Sequence, residues 1–133
     1  MFPYRDIIYF CKKTKMQNRF RVVFLHEAYA FIETLNRKDR EKVLYNIWKV
    51  RIIPEQTLFK KLTDTIWEFR TLYSGNHYRL FAFWDHKKKH DTIVICSHGI
   101  IKKTDKTPQK EIEKAEKIRL SYFNEEYNED IEK

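Results

Sequence analysis

The sequence predicts an α+β domain in which one antiparallel sheet carries helices on one face, in the order β-αα-βββ-α. Three observations predict it. Two apolar stripes of helical period follow each other between residues 27 and 54, and three strand-like runs follow between residues 66 and 98. The chain of 133 residues, 42% hydrophobic and 16% aromatic with two glycines, has material for one core and not for two.

Taken in order, residues 1–15 mix aromatics with Lys12, Lys13 and Lys15 without a clear period, and they read as an N-terminal appendage with Met16 a candidate start. Phe20, Val22 and Phe24 then alternate with Arg19, Arg21 and Val23, the period of a half-buried strand. From Glu27 the period is helical, with Ala28, Phe31, Ile32 and Leu35 on one stripe and a break at Asn36. A second helix aligns Val43, Leu44, Ile47, Trp48 and Arg51 and closes before Pro54. The short Asn36–Asp39 joint makes the two an antiparallel pair. Residues 55–65 read as a connector whose Leu58, Phe59 and Leu62 grip the core.

Ile66–Tyr73 sets Trp67, Phe69 and Tyr73 against Glu68 and Arg70. Ser74-Gly75-Asn76 is a turn by composition, with Gly or Asn free to take positive φ. Tyr78–Trp84 sets Tyr78, Leu80, Ala82 and Trp84 against Arg79, Phe81 and Phe83. After the charged turn Asp85–His90, the β-branched run Thr92–His98 belongs inside the sheet. Thr107 and Pro108 predict the last helix as its N-cap and first residue, with Ile112, Ala115, Ile118 and Tyr122 facing the core. Residues 16–123 are thus one domain, and 124–133 an acidic tail.

The net charge of +8 is unevenly spread: the tail holds five carboxylates against one lysine, a net of −4, which leaves +12 on residues 1–123. That balance points to a polyanion as partner, nucleic acid first. Cys11 and Cys96 match no paired metal-ligand spacing, so neither a disulfide framework nor a metal is expected, and a reducing, cytoplasmic setting is. Arg5 and Asp6 spoil a signal-peptide core, and the apolar runs are too short to span a bilayer. No membrane partner is expected.

Arg70 and Arg79 lie on neighbouring strands joined by a short turn, so a hairpin register brings both to one face. His98 ends the next strand, and Lys102, Lys103 and Lys106 follow at once. Cleavage of RNA by its own 2′-hydroxyl asks for that inventory: a base for the 2′ proton, cations for the phosphorane, and an acid for the leaving 5′ oxygen. His98 titrates in the right range, the arginines fork onto phosphate oxygens, and the lysines act as point charges. The structural alternatives stay open: Glu68 shares a face with Arg70 and is able to pair with it, His98 is able to serve as a satisfied strand-end residue, and the lysine run as a solvated turn. No HExxH pair, two-metal acidic cluster, glycine-rich phosphate loop or GxSxG elbow appears, and no cofactor is expected.

The stretches Phe59-Lys60-Lys61-Leu62, Ile66-Trp67-Glu68-Phe69-Arg70, Tyr78-Arg79-Leu80, His98-Gly99-Ile100-Ile101-Lys102-Lys103-Thr104, Lys106-Thr107-Pro108 and Glu111-Ile112-Glu113-Lys114-Ala115 together resemble the RelE/ParE toxin superfamily, in its HigB-like, phage-derived Gp49-like branch. The resemblance spans about Phe20 to Phe123. It implies a RelE-like fold and a ribosome-dependent, metal-free endonuclease of messenger RNA, the toxin of a type II toxin–antitoxin pair, neutralised by a helix-turn-helix antitoxin of HigA type. By resemblance, Arg70 and Arg79 match the strand arginines that line the toxin's RNA site, Lys102 and Lys103 the basic positions after the last strand, and His98 the histidine that opens that motif; Arg70, Arg79, His98 and Lys103 are the expected catalytic residues and Lys102, Lys106, Lys60 and Lys61 the expected RNA contacts. The chain departs from the pattern in lacking a clear counterpart of the C-terminal catalytic tyrosine of some relatives, for which Tyr122 and Tyr127 qualify by residue type only. The same superfamily holds ParE-like gyrase poisons that cleave no RNA, and a domain that binds nucleic acid or antitoxin without catalysis is the third reading.

Overall fold

The computed structural model describes residues 20–86 and 92–124. The appendage 1–15, Cys11, most of the charged turn, Tyr127 and all of the acidic tail but Asn124 lie outside them. The elements are β1 (Arg21–Phe24), α1 (His26–Thr34), α2 (Arg37–Ile52), β2 (Phe59–Lys61), β3 (Trp67–Tyr73), β4 (Asn76–Asp85), β5 (Ile93–Lys102) and α3 (Gln109–Phe123). The α+β class is the expected one. Among the described residues the strands form a five-stranded sheet in the order β1-β5-β4-β3-β2.

Three features differ from the sequence expectation. First, β1 pairs parallel with β5, Arg21 opposite Ile93 through Phe24 opposite Cys96, so the sheet is mixed. The helical pair carries the chain from β1 to the far edge of the sheet, and the antiparallel meander β2–β5 brings the last strand back beside β1. Second, the connector holds a short edge strand, β2, with Phe59 opposite Phe69 and Lys60 opposite Glu68. Third, the helices cover both faces of the sheet. One apolar cluster joins α1 and α2, through Ala28, Ile32, Leu44 and Ile47, to Phe69, Tyr78, Leu80 and Val94. The other joins α3, through Ala115 and Tyr122, to Phe81, Phe83, Ile93 and Ile95. The reason lies in β4: Leu80 and Ala82 point one way and Phe81 and Phe83 the other, and all four are fully buried. A central strand that is apolar on both faces needs a cover on both, and each buried phenylalanine contributes about 2 kcal/mol when it has one.

The ends of these elements have local causes. Asn36 caps α2 by accepting from the Asp39 amide at 2.9 Å. Ser74 and Gly75 both take positive φ, 53° and 77°, the two-residue hairpin geometry that matches strand twist. At the start of α3, Pro108 rather than Thr107 occupies the cap position, and no side chain caps it. The Thr107 hydroxyl is used elsewhere, on Glu68, at 3.0 and 3.2 Å.

The pairing of β4 with β5 contains a bulge: Phe81 faces His98 and Ala82 faces Cys96, which leaves Ser97 as the extra residue. Because side chains alternate with period two, one extra residue exchanges the faces of everything beyond it. His98 is thereby turned onto the α3 face, where it stacks on Phe81 at 4.8 Å between centroids. Gly99 is turned toward α1, where an added Cβ would sit 2.3 Å from the Phe31 ring. That close approach is why the position holds glycine.

Candidate functional site: a cationic groove at the open edge of β3

Because β2 ends its pairing at Phe69, the rest of β3 is an exposed edge, held at Arg70 by its amide donating to the Leu58 carbonyl at 2.8 Å. A groove of about 460 Å³ wraps this edge. Its walls include Lys42, Asn46 and Lys49 from α2, Arg70 and Leu72 from β3, His77 and Arg79 from β4, and Asp105 from the loop after β5. Four lysine and arginine side chains in the lining face two carboxylates, Glu55 and Asp105, so the groove is cationic. Leu72, 64% exposed, adds an apolar surface on the rim.

Arg70 and Arg79 stand directly opposite each other in the ladder. Two like charges in that position repel, and the structure resolves the repulsion with one carboxylate on each side. Beneath them, Glu68 is 1% exposed, and its Oε1 accepts from Arg79 Nη1 at 3.1 Å and lies 3.3 Å from Arg70 Nε. Above them, Asp105 Oδ1 accepts from Arg70 Nη2 at 2.7 Å and from Arg79 Nη2 at 2.8 Å. The Asp105 carbonyl accepts from the same Arg79 nitrogen at 2.8 Å. Glu68 therefore aims the outer nitrogens of both arginines at one point, and a carboxylate oxygen of the chain itself sits there. The hydrogen bond from Arg79, followed by the charge of Arg70, holds the Asp105 carboxyl below the ordinary carboxylate range.

The residues singled out in the sequence separate into groups. Arg70 and Arg79 meet, but Arg79 is only 2% exposed and reaches the groove with one end of its guanidinium. His98 shares their face and yet does not line the groove. It is 2% exposed, with Nδ1 3.0 Å from Ser97 Oγ and Nε2 3.0 Å from Glu111 Oε1. Burial lowers its pKa, with the Glu111 hydrogen bond acting against the shift, so the ring sits neutral as a tie between β5 and the first turn of α3. Tyr122 is likewise occupied, donating to Asp85 at 2.6 Å, and burial is the first cause that pushes its phenol up. Lys102 faces the site side opposite His77, while Lys103 and Lys106 are exposed on the loop that carries Asp105. Lys60 and Lys61 diverge: Lys60 lies beside Glu68 on the site face, and Lys61 pairs with Trp67 on the other.

The sequence reading missed His77, Lys42, Lys49 and Asp105. His77 is two residues before Arg79 on the same face of β4, with Nδ1 3.4 Å from Arg79 Nη2 and 3.8 Å from Asp105 Oδ1. Its period-two relation to Arg79 was a usable signal. Lys42 and Lys49 form a stripe of helical period with Asn46, which donates to Thr71 Oγ1 at 3.0 Å; nothing local says that this stripe overlooks a sheet edge. Among the described residues no group of three or more His, Cys, Asp or Glu is placed to hold a metal ion, and no helix is long and apolar enough to cross a membrane.

A family model described as "Phage derived protein Gp49-like (DUF891)" matches residues 30–119, which takes in α1 from Ala30, α2, β2 to β5 and most of α3. No curated protein matches the chain.

Proposed function

The chain belongs to the phage-derived Gp49-like family, and from that membership and the geometry of the groove we propose that it is the toxin of a type II toxin–antitoxin pair, a ribosome-dependent endoribonuclease. The observation that carries the reading is the convergence of Arg70 and Arg79 on one anion point at 2.7 and 2.8 Å. A phosphodiester oxygen placed there meets two charge-assisted donors already aimed by Glu68, and these donors gain strength as charge builds on the phosphorane. Removal of a donor of this kind costs about 3 kcal/mol in transition-state terms.

The 2′-hydroxyl attacks the adjacent phosphorus, its proton passes to a base, and the leaving 5′ oxygen takes a proton from an acid. His77 is the imidazole beside the anion point, and we assign it one of those roles in place of His98, whose ring nitrogens are engaged under α3. Lys103 supplies the other role or a phosphate contact from its exposed position on the loop. Lys42 and Lys49 lie along the groove to hold flanking phosphates, Lys102 and Lys106 extend the cationic surface, and Lys60 continues it on the site face. The partner that restrains the toxin is a helix-turn-helix antitoxin.

Inducible expression in a bacterial host, with growth and transcript 5′ ends followed together, tests the proposal. Arg70→Gln and His77→Gln are the informative variants, because Arg70 and His77 are partly exposed whereas Arg79 is buried. The expected result is growth arrest with new 5′ ends inside translated messages, lost in both variants. Arrest with intact messages and broken or over-supercoiled DNA would overturn the nuclease and favour a gyrase poison.

A further inference from the structure

We infer that Asp105 is a built-in surrogate for the substrate phosphate, so that the segment of residues 103–106 must lift from the two arginines before a phosphodiester can enter. The inference rests on the reading of the Arg70–Arg79 pair as a phosphate site, and it names what occupies that site when no substrate is bound.

The argument starts from the ladder. Two guanidinium groups paired across β3 and β4 require an anion on each side, and the inner one, Glu68, is buried and shared by both. The outer one is different in kind. Asp105 is 76% exposed and belongs to the irregular loop between β5 and α3, whose far end is tied to β3 by Thr107 on Glu68, and the residues on either side of Asp105 are exposed. Its side chain nevertheless makes two charged hydrogen bonds through a single oxygen, and its carbonyl makes a third. That is the footprint of one non-bridging phosphate oxygen, built from a carboxylate. The cations that face Asp105 are Arg79 and Arg70, with His77 behind them, and they keep its carboxyl ionised well below neutral pH. Entry of a phosphate is therefore a competition between two anions, and mild acidification does not remove the internal one. Because the occupant sits on an exposed loop, a polyanion that also engages Lys103 and Lys106 is placed to pull the loop away as it binds.

Asp105→Asn keeps the shape and the carbonyl contact but weakens the internal competitor. The probe is inorganic phosphate, titrated into the full chain at pH 7 while the side-chain Nε–H signals of Arg70 and Arg79 are followed by NMR. The expected result is an apparent Kd for phosphate about tenfold lower in Asp105→Asn than in wild type, as follows when a charged hydrogen-bond partner becomes a neutral one. The gain should disappear in Asp105→Asn/Arg70→Gln. Equal Kd values in wild type and Asp105→Asn, with binding lost in Arg70→Gln, would overturn the surrogate while leaving the phosphate site standing. No phosphate response at either arginine in any variant would overturn both. A tenfold gain in a chain that cleaves no message would retain the surrogate and reject the nuclease.

Discussion

Arg79 is the residue most tempting to mutate as a catalytic group, and its burial predicts that its first effect is on stability. Consider Arg79→Met, which keeps the length of the stem and removes the charge. Glu68, 1% exposed, then loses the Nη1 donor at 3.1 Å and keeps Thr107 and the Nε of Arg70. Breaking one side of a buried pair costs about 3–5 kcal/mol, and the two surviving partners place this case near 3 kcal/mol. Glu68→Gln removes the opposite charge but leaves Arg79 its contacts with Asp105, so about 2 kcal/mol is expected. If the pair itself is the source of these costs, the double variant loses about 3 kcal/mol rather than the sum, a coupling of about 2 kcal/mol. Guanidinium unfolding of the four proteins reads this directly, with the m-value as a check that the transition stays two-state. Singles that add to within about 0.5 kcal/mol in the double variant would refute the reasoning. For a domain stable by about 5–15 kcal/mol, the expected loss is large enough that loss of activity in an Arg79 variant says little about chemistry until folding is measured.

Two further predictions concern β5. Gly99→Ala forces its Cβ against the Phe31 ring and should cost about 1–3 kcal/mol in urea unfolding, recovered in part by Phe31→Leu; an unchanged midpoint would show that α1 does not press on the strand. His98 has a folded pKa below its ordinary 6.5, so below that pH the unfolded chain takes up a proton that the folded chain refuses, and stability falls with pH until the folded pKa is passed. Unfolding free energies between pH 5 and 8 should show this slope in wild type and lose it in His98→Gln, whereas an NMR titration placing His98 above 6.5 would refute the assignment.

Much of this molecule is readable from local pattern. The alternation in 66–73 and 78–84 determined which side chains share a face, and the short Ser74-Gly75 turn set the register that places Arg70 opposite Arg79. The helical stripes of α1, α2 and α3 follow from their period for the same reason: each is a relation between residues a few positions apart. What the tertiary structure decided are relations that no local period encodes. A parallel β1 depends on where a crossing of two helices delivers the chain. The site of α3 depends on Phe81 and Phe83 needing a second cover. The clearest case is His98. Its place after an apolar strand reads as a catalytic histidine at a strand end; the extra residue Ser97 does turn it to the face of the arginines, but α3 covers it there and engages its ring through Glu111, and the side chain that reaches the arginines is His77. The anion between those arginines comes from Asp105, 26 residues beyond Arg79, because the charge of the pair has to be met and the nearest loop able to meet it carries a carboxylate. Pattern assigns residues to faces, and only the closed fold shows which charges are left to one another.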